Sequence, residues 1–352
     1  MIFMNCVYFF LADDPIPDFK SGLRTKSKTK SRYVKTTEFL SQNEIGILKR
    51  LKMLPNCEKY FHVFDTIETV KIGDLSTLND TQSVHFLKND HNMLLRYKDQ
   101  ELLYLDGFLS SLSCSRKYIF LLLDFYRRLL IIIHLLVSNN IIHNNIGFKS
   151  MVVNSFEFPI LTNFRYSLDI TKSGKIDFCK RVYTQYIPDY IYWPPEIHLL
   201  CYIVTNKLSS LSQTNVETVI RDIEKRDIKK ANNLTNGVDK MVSYFSKYVN
   251  QDFNYIITDM LRFSGTWDQY ALGMCYLKLI EDLQKNIKTS NKFVVMFLEF
   301  LNETVHMVPS SRAIVSNTQV KFQQLLDDTD IADFSMLISS RSFNQSLRFN
   351  GV

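Results

Sequence analysis

Cradling a phosphate, ligating zinc and gripping a polyanion each require one residue type at a set spacing. The sequence answers each requirement separately. Ten of the 352 residues are glycine, under half the usual share of roughly 7%. The closest pair, Gly265 and Gly273, is eight residues apart. No G-x-G-x-x-G and no G-x-x-x-x-G-K-[ST] can be written, which excludes a standard glycine-rich nucleotide loop. The six cysteines are scattered, and the nearest two, Cys179 and Cys201, are 22 residues apart. With no C-x-x-C and no Cys/His cluster, they read as buried, reduced thiols rather than a zinc site.

The net charge of +6 is local. Lys20, Arg24, Lys26, Lys28, Lys30, Arg32 and Lys35 share one stretch that contains no acid, and the rest of the chain is near neutral. Residues 20–36 therefore read as a solvated basic loop, not as the charged face of a nucleic-acid-binding domain. Nucleic acid is not an expected partner. The apolar runs Ile119–Leu123 and Leu129–Val137 fall well short of the ~20 residues that span a bilayer, so no membrane partner is expected. Met1 to Leu11 lacks a basic n-region and an A-x-A-like site, and reads as a strand.

The elements that must position any chemistry divide in two. Residues 1–97 read as strands with one helix: Asn43–Lys52 has apolar residues at helical spacing, and Tyr60–Phe64, Thr69–Ile72 and Met93–Tyr97 are β-rich. Residues 98–330 read as helical, opened by a long apolar helix over Arg116–Ser138. The short β segments Ile141–Ile142, Met151–Val153 and Ile160–Leu161 follow it. Residues 331–352 form a tail. A strand-rich small part before a helix-rich large part is an α+β arrangement, expected to be bilobal with a cleft between the lobes.

A series of landmarks then runs in fixed order. Ile141-Ile142-His143-Asn144-Asn145-Ile146 precedes Ser150 and an apolar strand. Asn163-Phe164-Arg165 follows, then Trp193-Pro194-Pro195-Glu196, then Trp267-Asp268-Gln269-Tyr270-Ala271-Leu272-Gly273, then Pro309-Ser310-Ser311-Arg312. Upstream lie Glu44–Leu51 and Met93–Tyr97. Together these resemble the eukaryotic-type protein kinase family over about residues 44–312: its H-R-D-L-x-x-x-N loop, D-F-G, A-P-E, central-helix and P-x-x-R motifs, its small-lobe glutamate helix and its hinge strand.

The resemblance implies architectural roles. Asp268 would hold the catalytic loop, Glu196 and Arg312 would pair in the large lobe, and Gly273 would serve packing. His143, Phe164 and Leu48 are of the right types for a stacked column joining the lobes. Leu95, Arg96, Tyr97 and Val152 fall at nucleotide-binding positions. Glu44 is the ion-pair glutamate and Lys35 the favoured lysine partner, only nine residues before it. Lys26, Lys28 and Lys30 fit the usual spacing better.

The chemistry is missing from this frame. Asn145 stands at the position of the catalytic aspartate, and a neutral amide cannot act as a carboxylate base. Asn163 and Ser150 stand at the metal-ligand positions and offer a hard cation only neutral oxygens. Arg165 places a cation where magnesium would sit, and Asn144 replaces the arginine that reads a phosphorylated segment. The resemblance implies a catalytically impaired pseudokinase, acting as scaffold or regulator, with no cofactor.

Two other readings stay open. One is an active Ser/Thr kinase using ATP and magnesium, with Asp169 as a substitute carboxylate. The other is a virion structural or assembly protein that reuses the fold. The Asn-, Ile-, Lys-, Phe- and Tyr-rich composition resembles that of kinase-like proteins of large DNA viruses, implying a host-cytoplasmic or virion location. Between Glu196 and Asp268 lie 71 residues, more than the family usually has. The helical insertion at about 200–262 is the expected docking surface for a protein partner.

Overall fold

The computed structural model describes residues 29–35, 39–70, 92–98, 101–112, 115–172, 174–225, 237–284 and 291–329. The expected N-terminal strand, most of the basic stretch and the tail 331–352 lie outside them. The class is α+β. The chain divides into two compact units, one of residues 1–103 with 150–167 and the other of residues 104–149 with 168–352. The sequence reading puts 150–167 with the helical part. In the structure that segment is hydrogen-bonded into the first unit instead.

The first unit contains a three-stranded antiparallel sheet of β1 (Thr29–Lys35), β2 (Thr66–Val70) and β3 (Asn92–Lys98), in the order β1-β3-β2. Strand β1 begins inside the run expected to be loop. All seven of its residues pair with β3, from Thr29↔Lys98 to Lys35↔Asn92, and ladder pairing overrides the local Ser/Lys composition. Helix α1 (Phe39–Lys52) lies between β1 and β2 in sequence and buries Ile45, Ile47, Leu48 and Leu51. The expected strand at Tyr60–Phe64 is an irregular segment with a single bridge, Phe61↔Leu161. The Leu161 backbone serves this segment on both its groups, through His62 N–H (2.9 Å) and Tyr60 C=O (3.0 Å).

A second small sheet joins β4 (Leu102–Tyr104), β6 (Met151–Asn154) and β7 (Pro159–Leu161), with β6 and β7 paired antiparallel. Asn43 on α1 donates to the carbonyls of Ser167 (2.8 Å) and Arg165 (3.2 Å). With the Leu161 bonds, this is why 150–167 folds with the first unit.

The second unit is helical. After α2 (Leu105–Ser110), helix α3 (Ser115–Ser138) matches the long apolar helix expected from the sequence. It leads through β5 (Ile141–Ile142), which pairs with β8 (Leu168–Asp169). Helices α4 (Lys175–Val182) and α5 (Pro195–Thr205) follow. Helices α6 (Gln213–Glu224), α7 (Val238–Phe245) and α8 (Phe253–Leu261) make up the insertion. Helices α9 (Trp267–Gln284), α10 (Lys292–Thr304) and α11 (Val315–Asp327) close the fold.

Residues 266–277 are buried without interruption, so α9 is a central rod with neighbours on every side. Its polar groups are matched. Gln269 donates to the Ala313 carbonyl, and the Tyr276 hydroxyl donates to the Leu122 carbonyl at 2.9 Å. Among the described residues no helix is long and apolar enough to cross a membrane.

Gly273 sits where α9 meets the end of α10. A Cβ there would lie 2.6 Å from Val305 Cγ1 and 2.7 Å from Thr304 Oγ1, and both neighbours are buried. Alanine favours a helix interior by ~1 kcal/mol over glycine, whereas overpacking a closed core costs ~1–3 kcal/mol. Neither branched neighbour has room to retreat, so the clash dominates. Gly273→Ala should lose about 1–2 kcal/mol in urea denaturation, and a stabilised variant would contradict the packing role.

Candidate functional site

The loop that opens at His143 is shaped by one side chain on α9. Asp268 lies in the first turn of that helix and is 1% exposed. Its Oδ2 accepts the His143 N–H at 2.6 Å and its Oδ1 accepts the Asn144 N–H at 2.8 Å. Burial pushes the Asp268 carboxyl up to about 7, while the two backbone N–H groups pull against that shift. The helix N-terminus also favours the ionised form.

The turn continues through Asn144, whose φ of 62° lies in the left-handed region. Asparagine is among the few residue types that adopt this conformation at low cost. The Asn144 carbonyl accepts the Trp193 indole N–H at 3.2 Å. The Asn145 N–H donates to His143 Nδ1 at 3.3 Å. His143 is fully buried.

Asn145, at the position that carries the sequence argument, is 8% exposed. Its Oδ1 accepts the Tyr190 hydroxyl at 3.4 Å. Tyr190 belongs to an aromatic cluster that sequence reasoning missed. Its ring lies 4.9 Å from Trp193 and 5.3 Å from Tyr192, and Tyr183 is packed edge-on to Trp193. The signal was available: Tyr183, Tyr186, Tyr190, Tyr192 and Trp193 crowd a stretch that reads as merely irregular. The His198 ring at 3.1 Å from the Tyr190 carbonyl ties this segment to α5. The Tyr186 hydroxyl donates to Asp222 on α6 at 3.2 Å.

The metal-position residues belong to the first unit. Ser150 is buried, and its carbonyl accepts the Thr162 N–H at 2.9 Å, which sets the segment holding Asn163 beside it. Asn163 is half-buried with φ 62°. Among the described residues no cluster of three or more His, Cys, Asp or Glu could hold a metal. Asp169, the substitute carboxylate considered from sequence, lies in β8 and turns onto its own chain. Its Oδ1 accepts the Thr171 N–H at 3.0 Å and the Thr171 hydroxyl at 2.6 Å.

Phe164, Glu44, Lys35, Leu95, Arg96, Tyr97 and Val152 all belong to the first unit. Phe164 is buried edge-on to Phe61 at 5.7 Å. Glu44 is 2% exposed on α1. Lys35 closes β1 opposite Asn92. Leu95, Arg96 and Tyr97 lie on β3, the middle strand of its sheet; Leu95 and Arg96 are paired with both neighbouring strands and Tyr97 with Lys30 of β1. Arg96 also forms a two-point pair with Glu68 (2.9 and 3.0 Å), and Tyr97 stacks on His62 at 4.5 Å. Val152 is buried in β6. Cys57, Cys179, Cys201 and Cys275 are buried free thiols, and burial pushes Cys179 up to about 12.

The bracing pair is complete. Arg312 Nη2 meets Glu196 Oε2 at 2.6 Å and Nη1 meets Oε1 at 2.9 Å, with both side chains fully buried. Every further group on the pair is matched: Trp267 Nε1 to Glu196 (3.1 Å), Arg312 to Thr266 (3.0 Å) and to the His306 carbonyl (2.7 Å). The Tyr270 ring lies 5.1 Å beneath the guanidinium.

The insertion directs its apolar faces inward. Val216, Val219, Ile220, Ile223, Met241, Phe245, Ile256, Ile257 and Met260 are buried. Lys247 pairs with Asp259 at 2.8 Å over the rings of Tyr244 and Tyr248. Helix α6 packs on α5 and α7, and α8 packs on α4 and α5.

Removing one member of a buried pair leaves an uncompensated charge, so Glu196→Gln or Arg312→Met should each cost ~3–5 kcal/mol in chemical denaturation. The double variant should recover part of that loss. A carboxyl raised in the folded state supports the fold below its ordinary pKa of about 4 and loses that support as pH rises through about 7. Asp268→Asn removes this slope and leaves one N–H without an oxygen, at ~1–3 kcal/mol. Its deficit against wild type should be larger at about pH 5 than at about pH 8. An equal deficit at both would contradict the assignment. No family model matches the chain, and no curated protein matches it in sequence.

Proposed function

We propose that this chain is a protein-kinase-like protein that has lost phosphotransfer chemistry and acts by binding, as a pseudokinase scaffold or regulator. One observation carries the reading: the Asp268 carboxylate holds the His143 and Asn144 N–H groups, and the next side chain is an amide rather than a carboxylate. An aspartate on the central helix does what the resemblance requires of it, and the residue it would position cannot accept a proton.

Other features support the same reading. Glu196 and Arg312, 116 residues apart, form the buried two-point pair that the motif order implies. Gly273 makes a close packing contact. Helix α1 follows β1 and buries Glu44. The active-kinase alternative loses ground, because the Asp169 carboxylate is held by its own turn. The partner class is a protein. Most apolar residues among those described in the insertion are buried, so a partner there would meet polar side chains and the exposed ring of Tyr255. The location that goes with this reading is the cytoplasm.

The test is a thermal-shift titration of the full chain with ATP, with and without magnesium or manganese. A ligand at about a hundred times its Kd stabilises by ~2.7 kcal/mol, a shift of several degrees for a chain of this size. The expected result is no metal-dependent shift. A shift that requires magnesium or manganese would overturn the loss of the metal site.

A further inference from the structure

A groove of about 350 Å³ opens on the second unit between α3, α10 and the end of α11. Buried Leu123 and Phe293 and the more open Phe120 and Leu326 line it. From its place in the chain we infer that this groove seats the segment that follows it, residues 330–338, with Phe334 as the side chain that enters. None of the lining residues belongs to the kinase-like motifs, so the contact holds or fails apart from the pseudokinase reading.

The helices around the groove are fixed by a shared aromatic core. Tyr126 of α3 lies 4.9 Å from Phe322 of α11, and Phe297 of α10 lies 5.8 Å from the same ring. Phe293, one turn before Phe297, stacks on it at 5.9 Å. An entering side chain therefore finds its contacts already in place and loses only its own freedom. Phe120 is 48% exposed, which leaves a large apolar ring at the edge of an apolar groove. The volume is at the low end for ligand sites and suits one or two side chains.

Chain continuity selects the occupant. Thr329 lines the groove and is the last described residue of the second unit. Phe334 is five residues further on, a reach of about 18 Å at most. Six of the nine residues 330–338 are apolar, and the run stops at Ser339-Ser340-Arg341-Ser342. A tethered segment meets its groove at an effective concentration of roughly mM, which favours it over a free ligand of equal affinity.

The rim adds a charge match. Arg127 lines the groove and donates one N–H to Asp124 at 2.7 Å, and a guanidinium has further donors in the same fork. Asp330 and Asp333 are the first acids beyond Thr329, and a carboxylate is the group that fork accepts best.

The test reads the segment in the full chain. Chymotrypsin cuts after large apolar side chains, at a rate that follows the population of the opened segment. Phe349 lies in the same tail, 15 residues beyond Phe334, and serves as the internal control. In wild type, cleavage after Phe334 should be about tenfold or more slower than cleavage after Phe349, the scale of burying one ring. Phe120→Asp places a charge in the groove wall and should bring the two rates together. If that variant does not fold, Phe120→Ala is read in its place.

A second measurement uses thermal unfolding. Phe120→Ala and Phe334→Ala should each lower the melting temperature, and the double variant should fall by less than the sum of the two. Phe120→Ala combined with Phe349→Ala should add, as distant sites do.

Equal cleavage after Phe334 and Phe349 in wild type would overturn the seat. So would protection of Phe334 that survives the Phe120 substitution, or strict additivity of Phe120→Ala and Phe334→Ala. Protection that disappears on dilution would assign the segment to a second copy and overturn the contact within one chain. Neither readout involves nucleotide or metal, so the outcome is separate from that of the ATP titration.

Discussion

One side chain holds the loop on which the candidate site is built. Asp268 emerges from a helix buried along its whole first half and takes the N–H groups of two consecutive loop residues. Two adjacent N–H groups can point at one carboxylate only if the chain turns between them, and Asn144 supplies that turn with a left-handed φ. The turn sets Asn145 facing Tyr190 and sends the Asn144 carbonyl to Trp193. Without the carboxyl group, the His143 and Asn144 N–H groups would each lose their acceptor. Burial raises the cost of holding that charge, which explains why its stabilising effect depends on pH.

Glycine scarcity, which first only removes possibilities, has a structural counterpart. Seven non-glycine residues among those described have φ between 52° and 62°, and five are asparagines: Asn56, Asn140, Asn144, Asn163 and Asn250. No described glycine has positive φ. The chain gives its left-handed positions to asparagine, whose short polar side chain tolerates them. Glycine is kept at Gly273 for want of space rather than for backbone freedom. Asn144 and Asn163 thus meet a conformational demand at positions where the resemblance expects charged residues.

Much of the α+β fold was legible because it rests on residue type and order. A buried glutamate paired with an arginine 116 residues away leaves a trace in sequence, as does an aspartate opening an apolar helix. The long helix over Ser115–Ser138 and the short strands β5, β6 and β7 follow from apolar periodicity and turn spacing. What was not legible depends on tertiary pairing. Strand β1 starts within a Ser/Lys run because β3 lies beside it, and residues 150–167 join the first unit through the bonds of Asn43 and Leu161. The aromatic cover on the loop has no periodicity, so nothing in the sequence links Tyr190 to Asn145. The insertion's helical faces were visible, but not that α6 packs on α5 and α7 while α8 packs on α4 and α5.

The central claim is that the frame persists while its chemistry is gone. Its most direct test is phosphate transfer from radiolabelled ATP by the full-length wild-type chain, to itself and to a generic serine/threonine protein substrate, with magnesium and with manganese. The account predicts incorporation no higher than that of the same mixture without the chain, under either metal. Transfer by the wild-type chain above that background would contradict it.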